Sequence, residues 1–229
     1  MKNQFQTKKL AVLGLIMATA SLPACMSVQP QSAANSIQNK KVSVAAQQLP
    51  TPTFLVGRDM ASPLYYVELV ANIAKSDLDR SLAKTQVPAY QTLGQSVATN
   101  VQAKGAQVQL VNLDVKTLPR MEHPAGQHSY AKNLTDTNAG DYILVLEPTF
   151  IGLTQNKFLF IPTTKKQAAF FGNMTLVSTH DNQIVWQDRW FGRSDLAGDW
   201  YKGNNLQDSL NNAVLAGQQD IEGKLNQLH

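Results

Sequence analysis

Toward the carboxyl end, Leu206, Leu210, Val214, Gly217, Ile221, Leu225 and Leu228 recur at three- and four-residue steps. One continuous apolar stripe of this kind predicts a helix from Leu206 to Leu228 with one buried face. A second stripe, Tyr90, Leu93, Val97, Ala98 and Val101, predicts a helix from Pro88 to Lys104, stopped by Gly105. Ser76-Asp77-Leu78-Asp79 has the form of a capping box and opens a short helical turn through Lys84.

Strand patterns occupy the rest. Pro63 to Val70 is aromatic and β-branched, and Phe54-Leu55-Val56 reads as a short edge strand before it. Gln107 to Asp114 alternates, and Asp141 to Leu153 is a strong strand with Tyr142, Ile143 and Val145. Ala168–Thr179 and Gln183–Arg193 form a hairpin across His180-Asp181-Asn182, where Asp and Asn tolerate turn geometry. Lys116 to Asn138, with Pro119, Pro124 and Gly126, reads as a long loop. Thr154 to Gln167 reads as a long connection.

The order strand, helix, strand, loop, three strands, helix predicts an α/β (α+β) fold. It would have one mixed sheet of about five strands, with the first pair parallel and the later strands antiparallel. Two long helices would pack on one face. Residues 53–229 would make one domain. Met26 to Pro52 is rich in Gln, Ser, Ala and Asn and reads as a disordered tether, despite Val42 and Val44. About 25 such residues would span roughly 25–30 Å.

The amino terminus changes the picture. Lys2, Lys8 and Lys9 precede an apolar run from Leu10 to Ala20, and Leu22-Pro23-Ala24 leads to Cys25, the single cysteine. The run falls short of the roughly 20 apolar residues of a spanning helix, and it has the form of a secretory signal over residues 1–24. Leu22-Pro23-Ala24-Cys25 resembles the lipobox of bacterial lipoproteins, although Pro23 departs from the usual small or β-branched residue. The resemblance implies that the Cys25 thiol is acylated and anchors the chain to a membrane. An ordinary signal peptide with an incidental cysteine is the other reading. Met26-Ser27 departs from the aspartate-based inner-membrane retention pattern, which implies the outer membrane with the domain facing the periplasm.

Charge follows from this. The chain has 20 Lys and Arg against 16 Asp and Glu. Lys2, Lys8 and Lys9 lie before Cys25 and no acid does, so the remainder carries 17 against 16. That balance points away from a nucleic-acid-binding protein.

Two short patterns carry a further resemblance. Gly140-Asp141-Tyr142-Ile143-Leu144-Val145 is a small-Asp-Tyr strand opening. Met174-Thr175-Leu176-Val177 is followed by Gln183-Ile184-Val185-Trp186. Together with the element order over about residues 64–229, they resemble a shared α/β domain. It occurs in the curli-secretion lipoprotein, the TolB amino-terminal domain and outer-membrane lipoprotein activators of penicillin-binding proteins. The sequence departs from that group by its Thr154–Gln167 connection and by a loop where relatives often have a helix. The resemblance implies a non-catalytic accessory lipoprotein that binds another envelope protein.

Candidate chemistry is sparse. His123 and His128 share a Pro/Gly loop with Glu122 but have no third ligand at a metal-site spacing. His180 reads as a turn residue and His229 is the last residue. Ser81-Leu82-Ala83-Lys84 is a bare Ser-x-x-Lys without its companion motifs. The sequence therefore calls for no cofactor, no metal and no enzymatic reaction. Cys25 is the lipidation site. Phe158 and Phe160, within the apolar stretch Lys157–Pro162, and Trp200 and Tyr201, in a Gly/Asp-rich loop, are the candidate partner-binding residues. For Phe158 and Phe160 the competing reading is burial against the core, and for Trp200 and Tyr201 it is that they cover the end of the last helix. Arg189 and Arg193 beside the aromatics could bind a glycan or a carboxylate. A ligand-binding module for peptidoglycan, glycan or lipid is the alternative function, and a hydrolase is the third.

Overall fold

The computed structural model describes residues 37–58, 77–113, 120–122, 128–130, 140–158, 161–226 and 228. Cys25, Phe160, His123, His229 and the strand expected at Pro63–Val70 lie outside them. In chain order the described elements begin with β1 (Lys41–Ala46), β2 (Thr53–Arg58), α1 (Asp77–Lys84), α2 (Pro88–Gln91) and α3 (Leu93–Ala103). Strands β3 (Gln107–Leu110), β4 (Arg120–Glu122), β5 (His128–Tyr130) and β6 (Tyr142–Phe158) follow. Strands β7 (Ile161–Pro162), β8 (Gln167–Ser178), β9 (Ile184–Asp195) and the helix α4 (Asn205–Leu225) complete them.

The sheet is mixed, as expected. Its main path runs β3-β1-β6-β8-β9, with β2 and β7 also paired to β6. β1 is parallel to both neighbours, while β8 is antiparallel to both β6 and β9. Alternation along the strands sorts two faces. Val42, Val44, Leu144, Leu146, Met174, Leu176, Trp186 and Trp190 join α3 and α4 in one large core. Ala45, Ile143, Val145 and Val177 form a smaller cluster of their own. The two long helices therefore share one face. Leu206, Leu210, Val214, Gly217, Ile221 and Leu225 are buried, so the predicted α4 stripe is the buried face.

Four expectations need correction. The stretch expected as tether up to Pro52 contains β1, the strand between β3 and β6, and Ile37 before it is also buried. A strand covered on both faces shows no alternation to read. Val42, Ser43, Val44 and Ala45 are all buried, and Gln109 Nε2 donates to Ser43 Oγ at 2.9 Å. The strand–helix–strand unit thus begins at β1, and the domain begins near Ile37. Second, the helix expected over Pro88–Lys104 is divided at Thr92 into α2 and α3. Third, the loop expected over 116–138 contains the β4–β5 hairpin. Fourth, β6 continues to Phe158, so much of the expected Thr154–Gln167 connection is strand. The register shift between Pro148 and Phe150 lets β6 bend while its pairing with β8 continues.

β9 is the edge of the main path, and α4 side chains take up two of its backbone groups. The amide of Phe191 donates to Asp220 Oδ2 at 2.9 Å, and Lys224 Nζ donates to the Arg189 carbonyl. Lys224 also pairs with Asp220 at 3.3 Å and Asp188 at 3.6 Å. An edge whose hydrogen-bonding groups are taken in this way is a poor template for a foreign strand.

The topology gives the domain two poles. Ile37, the turn at His180–Asn182 and the end of α4 share one pole. There the Asn39 amide donates to the Gly105 carbonyl at 2.9 Å and Lys104 Nζ to Asn226 Oδ1 at 2.8 Å. β9 then runs to Asp195 at the other pole, where the loop 196–204 leads into α4. With 21 residues, α4 separates the poles by about 30 Å.

Candidate functional site

The loop 196–204 is tied down by its own turns and by the first turns of α4. Lys202 N donates to the Asp199 carbonyl at 3.0 Å, and Asn205 Nδ2 donates to the same carbonyl at 3.0 Å. Ser209 Oγ accepts from Ala197 N at 3.0 Å and donates to the Asn205 carbonyl at 2.6 Å. The loop therefore holds its side chains in place by short-range bonds to a rigid helix.

Two of the residues singled out in the sequence stand here with different burial. Trp200 is half-buried and packs against the main core. Tyr201 is 66% exposed. Their rings meet edge to face at 5.5 Å and 90°. Lys202 Nζ stands 5.8 Å from the Tyr201 ring centroid and is held by Asp199 at 2.7 Å. Trp200 thus braces the loop, and Tyr201 is what the loop offers to solvent.

Between this loop and α1 lies an open cleft of about 430 Å³. Ser81, Lys84, Thr85 and Gln86 form the α1 side, and Trp200, Tyr201, Gly203, Asn204, Leu206 and Gln207 form the other. Ser81 and Lys84, the bare Ser-x-x-Lys of the sequence, are both on this wall. The Ser81 carbonyl accepts from Thr85 Oγ1 at 2.8 Å, closing the end of α1. The cleft was missed in the sequence because Gln86, Asn204 and Gln207 are ordinary polar residues on separate segments. No local pattern joins residues about 120 positions apart.

Phe158 ends β6, pairing with Ile161 of β7. β6 starts at Tyr142 beside the Ile37 pole and runs past the β8–β9 ladder. The strand path therefore brings Phe158 to the pole of the Trp200–Tyr201 loop. His128 lies in β5, paired with β4, and His180 sits at the opposite pole, 3.7 Å from Asp141. Among the described residues no group of three His, Cys, Asp or Glu could hold a metal ion.

A row of aromatic rings, exposed at Phe191, lies on the sheet face away from the long helices. Phe150, Phe171 and Phe191 stack across β6, β8 and β9, with centroids 4.8 and 5.7 Å apart. The Arg193 guanidinium sits 4.3 Å above the Phe191 ring. Arg193, flagged in the sequence beside the aromatics, is thus engaged with a ring of its own strand.

No family model matches the chain, and no curated protein matches it. Solved structures that it resembles include a Helicobacter pylori protein described as a neuraminyllactose-binding hemagglutinin homolog. That match has 9% identity, covers 83% of this chain and 88% of that one, and has a TM-score of 0.42. The PelC dodecamer from Paraburkholderia phytofirmans matches at 12% identity, 84% and 89% coverage and TM-score 0.34. Lipoprotein GNA1162 from Neisseria meningitidis matches at 13% identity, 76% and 95% coverage and TM-score 0.35. At such TM-scores these likenesses carry no argument about what this chain does.

Proposed function

We propose that this protein is a non-catalytic accessory lipoprotein, anchored through acylated Cys25 to the outer membrane and facing the periplasm. There it binds another envelope protein through the Trp200–Tyr201 loop. The observation that carries the reading is the opposition of the two poles. The chain enters the domain at Ile37, about 30 Å along α4 from Tyr201. Eleven residues separate Cys25 from Ile37, so the entry pole stays within about 40 Å of the anchor whatever their conformation. A domain held to the membrane at its entry pole carries its exposed tyrosine about 30 Å from that pole, at the end within reach of a partner. Aromatic anchors on a braced loop are the usual centre of a protein contact. Phe158, ending at the same pole, extends the candidate surface.

The test is crosslinking and co-purification from membranes with wild type, Tyr201→Ala and Cys25→Ser. Tyr201→Ala should lose the partner and keep its melting temperature. Cys25→Ser should lose fatty-acid labelling and membrane retention. A wild-type protein without fatty-acid label, or a partner that survives Tyr201→Ala, would sink the corresponding half of the reading.

A further inference from the structure

The cleft between α1 and the loop has the chemistry of a ligand site as well as of a protein contact. Its volume of about 430 Å³ falls in the range of roughly 300–1,000 Å³ typical of small-molecule sites. Such sites are mostly apolar with a few polar groups, and this one departs from the rule. Gln86, Asn204 and Gln207 line it, and among the described residues their side chains make no hydrogen bond. Each amide carries both donors and an acceptor. Among the described residues no carboxylate lines the cleft, and Lys84 is the charged residue that does.

We propose that this cleft binds a saccharide. A sugar hydroxyl, like an amide, both donates and accepts, so paired contacts with the three amides leave neither partner unsatisfied. The C–H-bearing face of a pyranose is apolar and flat, and the exposed Tyr201 ring is the flat apolar surface at the cleft mouth. Trp200, perpendicular to that ring, fixes its tilt before any ligand arrives, which spares the cost of ordering it on binding. With Lys84 and no acid on the walls, a neutral or carboxylated sugar is accepted and a cationic one is disfavoured. Wall glycan and lipopolysaccharide both present such rings. This inference goes beyond the protein-partner reading and does not need the lipid anchor.

Isothermal titration of the detergent-solubilised full chain tests it, with chitotetraose for the wall-type backbone and deacylated lipopolysaccharide for the other source. Saturable binding of either supports the site and names the source. Tyr201→Ala and Gln207→Ala should each weaken it by about tenfold or more at an unchanged melting temperature. Leu215→Ala, an exposed position outside the cleft, should bind as wild type. Gln207→Ala should still capture the protein partner, so the two readings fail separately. Absence of saturable binding for both probes overturns the proposal, and so does binding that either cleft substitution leaves unchanged.

Discussion

Gly192 of β9 faces Gly217 of α4 so closely that a Cβ on Gly192 would stand 2.7 Å from the Gly217 Cα. The same added atom would overlap the Ala213 carbonyl oxygen. On the helix side, a Cβ on Gly217 would meet the Phe170 ring at 2.6 Å and Trp190 at 3.5 Å. The helix sits on the strand because both residues lack side chains. That spacing lets Asp220 and Lys224 reach the β9 backbone.

Gly192→Ala should therefore push α4 off the sheet and cost about 1–3 kcal/mol or more, as overpacked cores do. Thermal or urea melting reads this directly. A variant that melts like wild type would mean that the helix does not sit at this distance.

Trp186 and Trp190 are 2% and 1% exposed on the α4 side of β9. Replacing either by alanine should cost about 3–5 kcal/mol. The Trp190 indole nitrogen is buried without a partner among the described residues, and a buried unsatisfied donor costs about 1–3 kcal/mol. Trp190→Phe removes that penalty along with some packing, so it should be far milder than Trp190→Ala. Equal losses in urea unfolding would show that the indole is satisfied.

A chain beginning at residue 53 should not fold, whereas one beginning at residue 35 should. The first lacks β1, and with it Val42, Val44 and Ala45 between two other strands. Circular dichroism and melting decide the matter. A cooperative transition in the shorter chain would make β1 dispensable.

Tyr90 donates its hydroxyl to the Gln47 carbonyl and its ring meets Phe170 at 6.0 Å. Burial pushes its pKa well above the ordinary tyrosine value, because the charged form is poorly solvated there. The folded state then holds the proton that the unfolded chain releases near pH 10. The stabilisation is complete below about pH 10 and is lost as pH rises beyond it. Urea midpoints at pH 9 and pH 11 should fall steeply for wild type and less for Tyr90→Phe. Parallel falls in the two proteins would assign the alkaline loss to other groups.

Burial of Tyr201 and Trp200 separates residues that look alike in the sequence. Both are aromatic, adjacent and in one polar loop, and local pattern cannot tell a brace from a contact. Their roles follow from where the loop meets α4, and that is a tertiary fact. The Phe158 reading has the same character: its strand path, not its apolar neighbours, takes it to the Tyr201 pole.

The sequence by itself determined the elements whose burial has a period. The α4 stripe, the α3 stripe and β9 each bury one face and leave the other toward water, so alternation is written in the residues. Asn182, with φ +60°, fulfils the turn chemistry read from His180-Asp181-Asn182. The tertiary structure alone decided the place of β1, because a strand covered on both sides has no polar face to mark its period. It alone extended β6 past Leu153, since pairing with β2 and β8 stabilises strand where the sequence is polar. It alone assembled the cleft, because Gln86 and Gln207 line one cavity only after the end of α1 and the start of α4 have packed into the same core at one pole.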